Sequence, residues 1–158
     1  MALDEIEIEI TGLDEIDRAM AKFPAEFNRT AIADGVEAAA AYLGAMAQGL
    51  APELTEGYGS REPGELRKSI GVYMRKVSAD RPELTTAWVG PMYGVSGSSS
   101  PEQDPGKWGQ YVEFGSEHNR VPEPYLRPAL DGGAAAAFEI FVQTVSAHFN
   151  ENSEGAGI

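Results

Sequence analysis

Histidine, serine and carboxylate are the side chains of this chain that could do chemistry, and their spacing argues against a reaction centre. There are two histidines and no cysteine. His118 lies near Glu113, Glu117 and Glu123, donor types that can surround a divalent cation. The spacing matches no HExxH-like helical pattern, so His118 reads as a surface residue in a polar loop. His148 falls late in an apolar-periodic helix, where a cation suits the helix dipole. Ser96, Ser98, Ser99 and Ser100 have neither a GxSxG frame nor a nearby base. The GYGS at Gly57 to Ser60 and the GPMYG at Gly90 to Gly94 lack the GKS ending of a phosphate loop. With 25 acidic residues, neighbouring carboxylates are inevitable, and none sits in an apolar context that would mark a proton donor. No catalytic residue, metal ligand or cofactor site is expected.

The most informative stretch is Tyr111 to Asp131, YVEFGSEHNRVPEPYLRPALD. Tyr111, Val112 and Phe114 are anchors that favour burial, and Gly115 ends their run. Pro122, Pro124 and Pro128 fix φ and remove backbone donors. Such a segment holds one shape and presents Glu113, Arg120 and Arg127 from it. It reads as a contact surface. Arg127 is expected to pair bidentately with a carboxylate such as Glu113, a task for a planar fork.

The wider composition bounds the partners. A chain of 158 residues, 42% of them hydrophobic, suffices for one domain with one core. Twelve basic residues face 25 acidic ones, a net charge of -13, so duplex binding by phosphate neutralisation is not expected. Arg61, Arg67, Lys68, Arg75 and Lys76 concentrate the positive charge, either as solvated positions or as a patch for an acidic neighbour such as another copy of the chain. The absence of cysteine fits a reducing compartment. The N-terminus is too acidic for a signal peptide, and the longest apolar run is far short of a membrane span.

The elements that would position these residues follow from periodicity. Ile6, Ile8 and Ile10 alternate with Glu5, Glu7 and Glu9, a strand at an edge or solvated face. It would pair within the sheet or add to a neighbour's. Leu13, Ile16, Met20 and Phe23 mark a short helix, capped by Thr11 or Asp14. Ala25 to Leu50 is the main helix, with Ile32, Val36, Ala39, Leu43, Met46 and Leu50 as its apolar stripe. Ser69 to Val77 and Leu84 to Gly90 form an antiparallel hairpin about the turn Asp80-Arg81-Pro82. Trp108 to Phe114 is a helix or a strand, with helix preferred. A last helix runs from Arg127 to Phe149, with Leu130, Ala134, Ala137, Phe138, Phe141, Val145 and Phe149 on one side. Gly132 and Gly133 weaken its first turn, so its regular part begins after them. The segments 51–65 and 92–107 read as flexible loops, and the tail from about 150 as frayed. The fold is α+β: a long central helix, a short N-terminal helix and a C-terminal helix packed against a small antiparallel sheet. Ile32, Val36, Leu43 and Phe138 are expected in the core.

Three pieces in this order are familiar. GELRKSI (Gly64 to Ile70) precedes the hairpin, GQYVEFGS (Gly109 to Ser116) follows it, and PEPYLRPALD (Pro122 to Asp131) opens the last helix. With EIEITGLDEI at the start and Ala51-Pro52 after the long helix, the chain resembles the head–tail joining, or neck, proteins of long-tailed DNA phages. That family is also called the phage tail-component family. Its pattern is "aP.rTG.LrkSi", then "Ya.yvEfGt", then "p.PflrPAl". The resemblance spans Glu5 to Phe149. Leu66, Arg67 and Ile70 fall in the first piece. Tyr111, Glu113, Phe114 and Gly115 fall in the second, with Ser116 where threonine is common. Pro124, Arg127, Pro128 and Ala129 match the third, with Tyr125 where phenylalanine is common. The departures are Pro63 in place of a frequent threonine and a long Gly94 to Pro105 loop.

The resemblance implies a non-enzymatic virion protein, assembled in the host cytoplasm and located at the neck or proximal tail. It would form a ring that joins head to tail or completes the tail. The alternative is another oligomeric tail protein, such as a tail terminator or minor tail subunit. Its partners would be copies of itself, six or twelve, and neighbouring head-completion, connector or tail proteins. DNA would pass without sequence-specific binding, and no membrane is involved. A closed ring needs one face of a subunit against a different face of the next. With -13 charges per chain, self-association should be weak and salt-dependent in isolation.

Overall fold

The computed structural model describes residues 13–53, 63–75, 84–92, 105–115 and 121–155. The expected strand Glu5 to Ile10 and the turn Asp80-Arg81-Pro82 lie outside these residues, as do Arg61, Lys76, His118, Arg120, the serine cluster and most of both loops.

Alanine-rich sequence without proline makes Ala25–Leu50 one unbroken helix, α2, as the periodicity predicts. Helix α1, Leu13–Met20, precedes it. Asp14 lies in the first turn of α1, where a carboxylate suits the dipole. Pro24 is the N-cap residue of α2, and its carbonyl accepts from the Asn28 N–H at 3.1 Å. The Asn28 amide also donates to the Met20 carbonyl at 2.9 Å, so one side chain ties α2 to the end of α1. The remaining elements are α3 (Glu65–Ser69), β1 (Ile70–Met74), β2 (Ala87–Pro91), α4 (Pro105–Phe114) and α5 (Leu126–Gly155). The α+β reading of the sequence holds, and α3 is an element that it did not contain.

The strands β1 and β2 form an antiparallel hairpin in which Val72 faces Val89 and Tyr73 faces Trp88. A side chain begun at Gly44 of α2 would meet Val72 at 3.5 Å and Val89 at 3.7 Å, so the two valines turn inward onto that helix. Gln48 donates to the Ile70 carbonyl at 2.8 Å and secures the start of β1 to α2.

Helices α2 and α5 pack antiparallel: Gly35 lies against Val145 and Phe141 near one end, and Gly133 against Met46 and Leu43 near the other. Phe23, Phe27 and Phe149 cluster at the first end, with centroids 4.8 to 5.6 Å apart: Phe23 stacks on Phe27, and Phe149 meets Phe27 edge-on. Here the expected stripe needs correction. The buried line of α2 is Ala31, Gly35, Ala40, Gly44 and Ala47, and Ile32, Val36 and Leu43 are half-buried beside it. Phe138 is also half-buried, and Leu50 and Leu130 are about half exposed. Periodicity ranks large apolar residues, but the line of closest approach between two backbones takes small ones. Gly133 shows the same effect. It does not delay the helix, because α5 starts at Leu126 and buries that glycine under Met46 and Leu43.

The second core cluster joins Ala47 and Ala51 of the α2 end to Leu66, Ile70, Trp108, Val112, Tyr125 and Ala129. Full burial of a side chain such as Leu66 or Val112 contributes about 1.5–3 kcal/mol. All three motif pieces therefore meet in one cluster, although up to 63 positions separate Leu66 from Ala129 in the numbering.

Candidate functional site

The joint between α4 and α5 gathers the residues singled out in the sequence. Trp108 and Val112 bury one side of α4, and the Gly115 N–H closes the helix on the Tyr111 carbonyl at 3.0 Å. Gly115 has φ +82°, a left-handed conformation that glycine adopts without strain. The chain returns through Val121 to Pro124, with the Glu123 N–H donating to the Val112 carbonyl at 2.8 Å.

Glu113 is the centre of the joint and is 1% exposed. Its Oε2 accepts from the Tyr125 N–H at 2.7 Å and the Leu126 N–H at 2.8 Å. Its Oε1 accepts from the Arg127 N–H at 3.1 Å and the Arg127 Nε at 3.2 Å. A helix start leaves backbone donors without an intrahelical partner. Here the carboxylate takes the N–H of Tyr125, just before α5, and those of Leu126 and Arg127 within it; Pro128 has none, and the Ala129 N–H reaches the Tyr125 carbonyl at 3.3 Å. The negative charge also suits the positive end of the helix dipole.

Burial pushes the Glu113 pKa up, but the hydrogen bonds from Leu126, Tyr125 and Arg127 outweigh it and hold the carboxyl below its ordinary 4.5. Tyr125 is wholly buried. Burial first, and then the Glu113 charge, push its hydroxyl pKa well up. The hydroxyl donates only a long 3.5 Å bond to the Gly109 carbonyl. Gly109 must be small: a Cβ there would come within 2.6 Å of Pro91.

The expected Arg127–Glu113 pair is present, but it is not a fork on a carboxylate. One guanidinium nitrogen makes the contact, and the remainder of the group lies over the Phe114 ring, 5.4 Å from its centroid. The sequence reading missed that the backbone carries most of this joint. The available signal was a carboxylate followed by a proline-bounded helix start. Leu66, Ile70 and Tyr125 are core residues; Phe114, Pro124 and Pro128 are exposed, as is much of Tyr111. Arg67 donates to the Ala51 carbonyl at 3.0 Å, so one member of the basic cluster closes the end of α2.

His148 also differs from expectation. It lies 2.9 Å from Asp34 of α2 and edge-on to Phe27, more than a turn before α5 ends, so its partner is a carboxylate across the helix pair. Among the described residues no cluster of three or more His, Asp or Glu is placed to hold a metal ion. No helix among them is long and apolar enough to cross a membrane. No protein-family model matches this chain, and neither a curated protein nor a solved structure matches it significantly.

Proposed function

We propose that this chain is a structural ring subunit at the junction of a phage head and tail, where it joins the two or completes the tail. The reading is supported by the order of the GELRKSI, YVEFGS and PEPYLRPALD pieces. The observation that carries it is the use of Glu113. The buried carboxylate of the second piece spends both oxygens on N–H groups of the third. A carboxylate held ionised with its acceptors occupied suits a rigid joint and makes a poor proton donor. The joint in turn keeps Phe114 and Leu130 on the outside, 67% and 54% exposed, where a neighbour can take them up.

Particles assembled without the protein test this. DNA-filled heads and separate tails are expected, with joining restored when the purified protein is added back. Normally joined particles would refute it. In images of complete particles the subunit should appear as a ring at the neck or proximal tail.

A further inference from the structure

Two apolar surfaces lie outside the core, on different elements. The first is the outer face of the hairpin. Because Val72 and Val89 turn inward, the cross-strand pair Tyr73 and Trp88 points out, 55% and 63% exposed. Gly71 and Gly90 leave the floor beside that pair bare, and Met92 leans over Gly71, within 3.3 Å of where a Cβ would stand. The result is an open groove of about 420 Å³, walled by Tyr73, Trp88, Pro91 and Met92, with Arg75 as the charge that lines it among the described residues. Among the described residues it lacks the converging buried polar groups of a small-molecule site.

The second surface lies where the end of α4 meets the start of α5. Phe114 stands at the end of α4, one turn from the half-exposed Tyr111 and under the Arg127 guanidinium. Leu130 and Asp131, both exposed, follow Arg127 by one turn of α5. The Glu113 joint fixes the two helices on which these residues stand.

We propose that these surfaces bind each other between copies. The Phe114–Leu130 knob of one subunit enters the Tyr73–Trp88 groove of the next, and Arg75 of the groove meets Asp131 of the knob. This rests on the ring reading above and names its contact. Arg75 of the groove meets Asp131 on a surface that also carries Arg127, and both sides offer aromatic residues of the kind that anchor protein interfaces. The two surfaces share no residue, so every contact leaves one knob and one groove free. Such a head-to-tail contact propagates, and it gives a ring when the rotation between neighbours closes. The charged pair also offers a local attraction within a chain whose net charge of -13 otherwise opposes self-association.

Complementary blocked variants test the contact. Trp88→Asp closes the groove and Leu130→Lys closes the knob. Both positions are exposed, and circular dichroism checks that both variants fold. Light scattering across protein and salt concentration should show wild type assembling beyond a dimer and each variant alone as a monomer. The two variants mixed should give a dimer and nothing larger. Trp108 is already buried, so a blue shift of emission on wild-type assembly reports Trp88. Either variant assembling like wild type, a mixture that stays monomeric, or an unshifted spectrum would overturn the contact. So would a wild-type monomer under every condition. The particle assay reads the ring itself, so loss of this contact with joining still dependent on the protein would leave that reading standing.

Discussion

Glu113 and Arg127 meet twice: the carboxylate accepts the backbone N–H at 3.1 Å and the side-chain Nε at 3.2 Å through the same oxygen. The backbone contact is the one that a substitution at position 127 preserves. The side chain itself is 60% exposed, so solvent screens its share. Arg127→Lys should therefore cost under about 1 kcal/mol. Glu113→Ala strips the start of α5 of its acceptor and should cost about 3–5 kcal/mol. Urea unfolding of the two variants beside wild type reads both values, and equal losses would contradict this division of labour.

The same carboxylate sets an acid limit. Its folded pKa is depressed, so its contribution is present above the unfolded value near 4.5 and is lost as pH falls through the folded value. Stability measured from pH 6 downward, about one unit at a time, should fall less steeply in Glu113→Gln than in wild type below about pH 4.5. The subtraction removes the contribution of the other carboxylates. Parallel curves would show that Glu113 is not the group responsible.

Tyr125 sets an alkaline limit of opposite sign. Its folded pKa is raised, so its stabilisation is full below the unfolded value near 10.0 and is lost as pH rises towards the folded value. Tyr125→Phe should remove that loss above pH 10 and cost about 1 kcal/mol or less at neutral pH, because only a 3.5 Å hydrogen bond disappears. Unfolding followed from pH 8 to 11 by circular dichroism is the check. An unchanged alkaline limb in the variant would assign it elsewhere.

Two glycines of α2 should respond in opposite directions. A Cβ at Gly35 would stand 2.7 Å from Val145 and 2.8 Å from Phe141, so Gly35→Ala should destabilise by about 1–2 kcal/mol even after the gain in helix propensity. Gly49 has nothing within 4 Å of its Cβ position, and Gly49→Ala should stabilise by about 0.5–1 kcal/mol. Melting temperatures of the pair provide the comparison, and a rise in both would show that α2 and α5 can separate without cost.

The sequence by itself determined the local structure. An alanine-rich run bounded by Pro24 and Pro52 specifies Ala25–Leu50 as a helix, and two runs of strand-favouring residues specify the paired strands. Those preferences act over a few residues and need no distant partner. Side-chain chemistry in the stretch from Tyr111 to Asp131 also singled out Glu113 and Arg127 as a pair. Only the tertiary structure decided which side of α2 is buried. The Ala31–Gly35–Ala40–Gly44–Ala47 line faces inward because α5 and the hairpin approach α2 more closely than leucine or isoleucine would permit. That approach depends on Val145, Phe141 and Val72, which no periodicity within α2 encodes. It likewise decided that Glu113 caps a helix beginning thirteen residues further on. A carboxylate's acceptors are directional and short, so its role is assigned by whichever donors the fold carries to within about 3 Å.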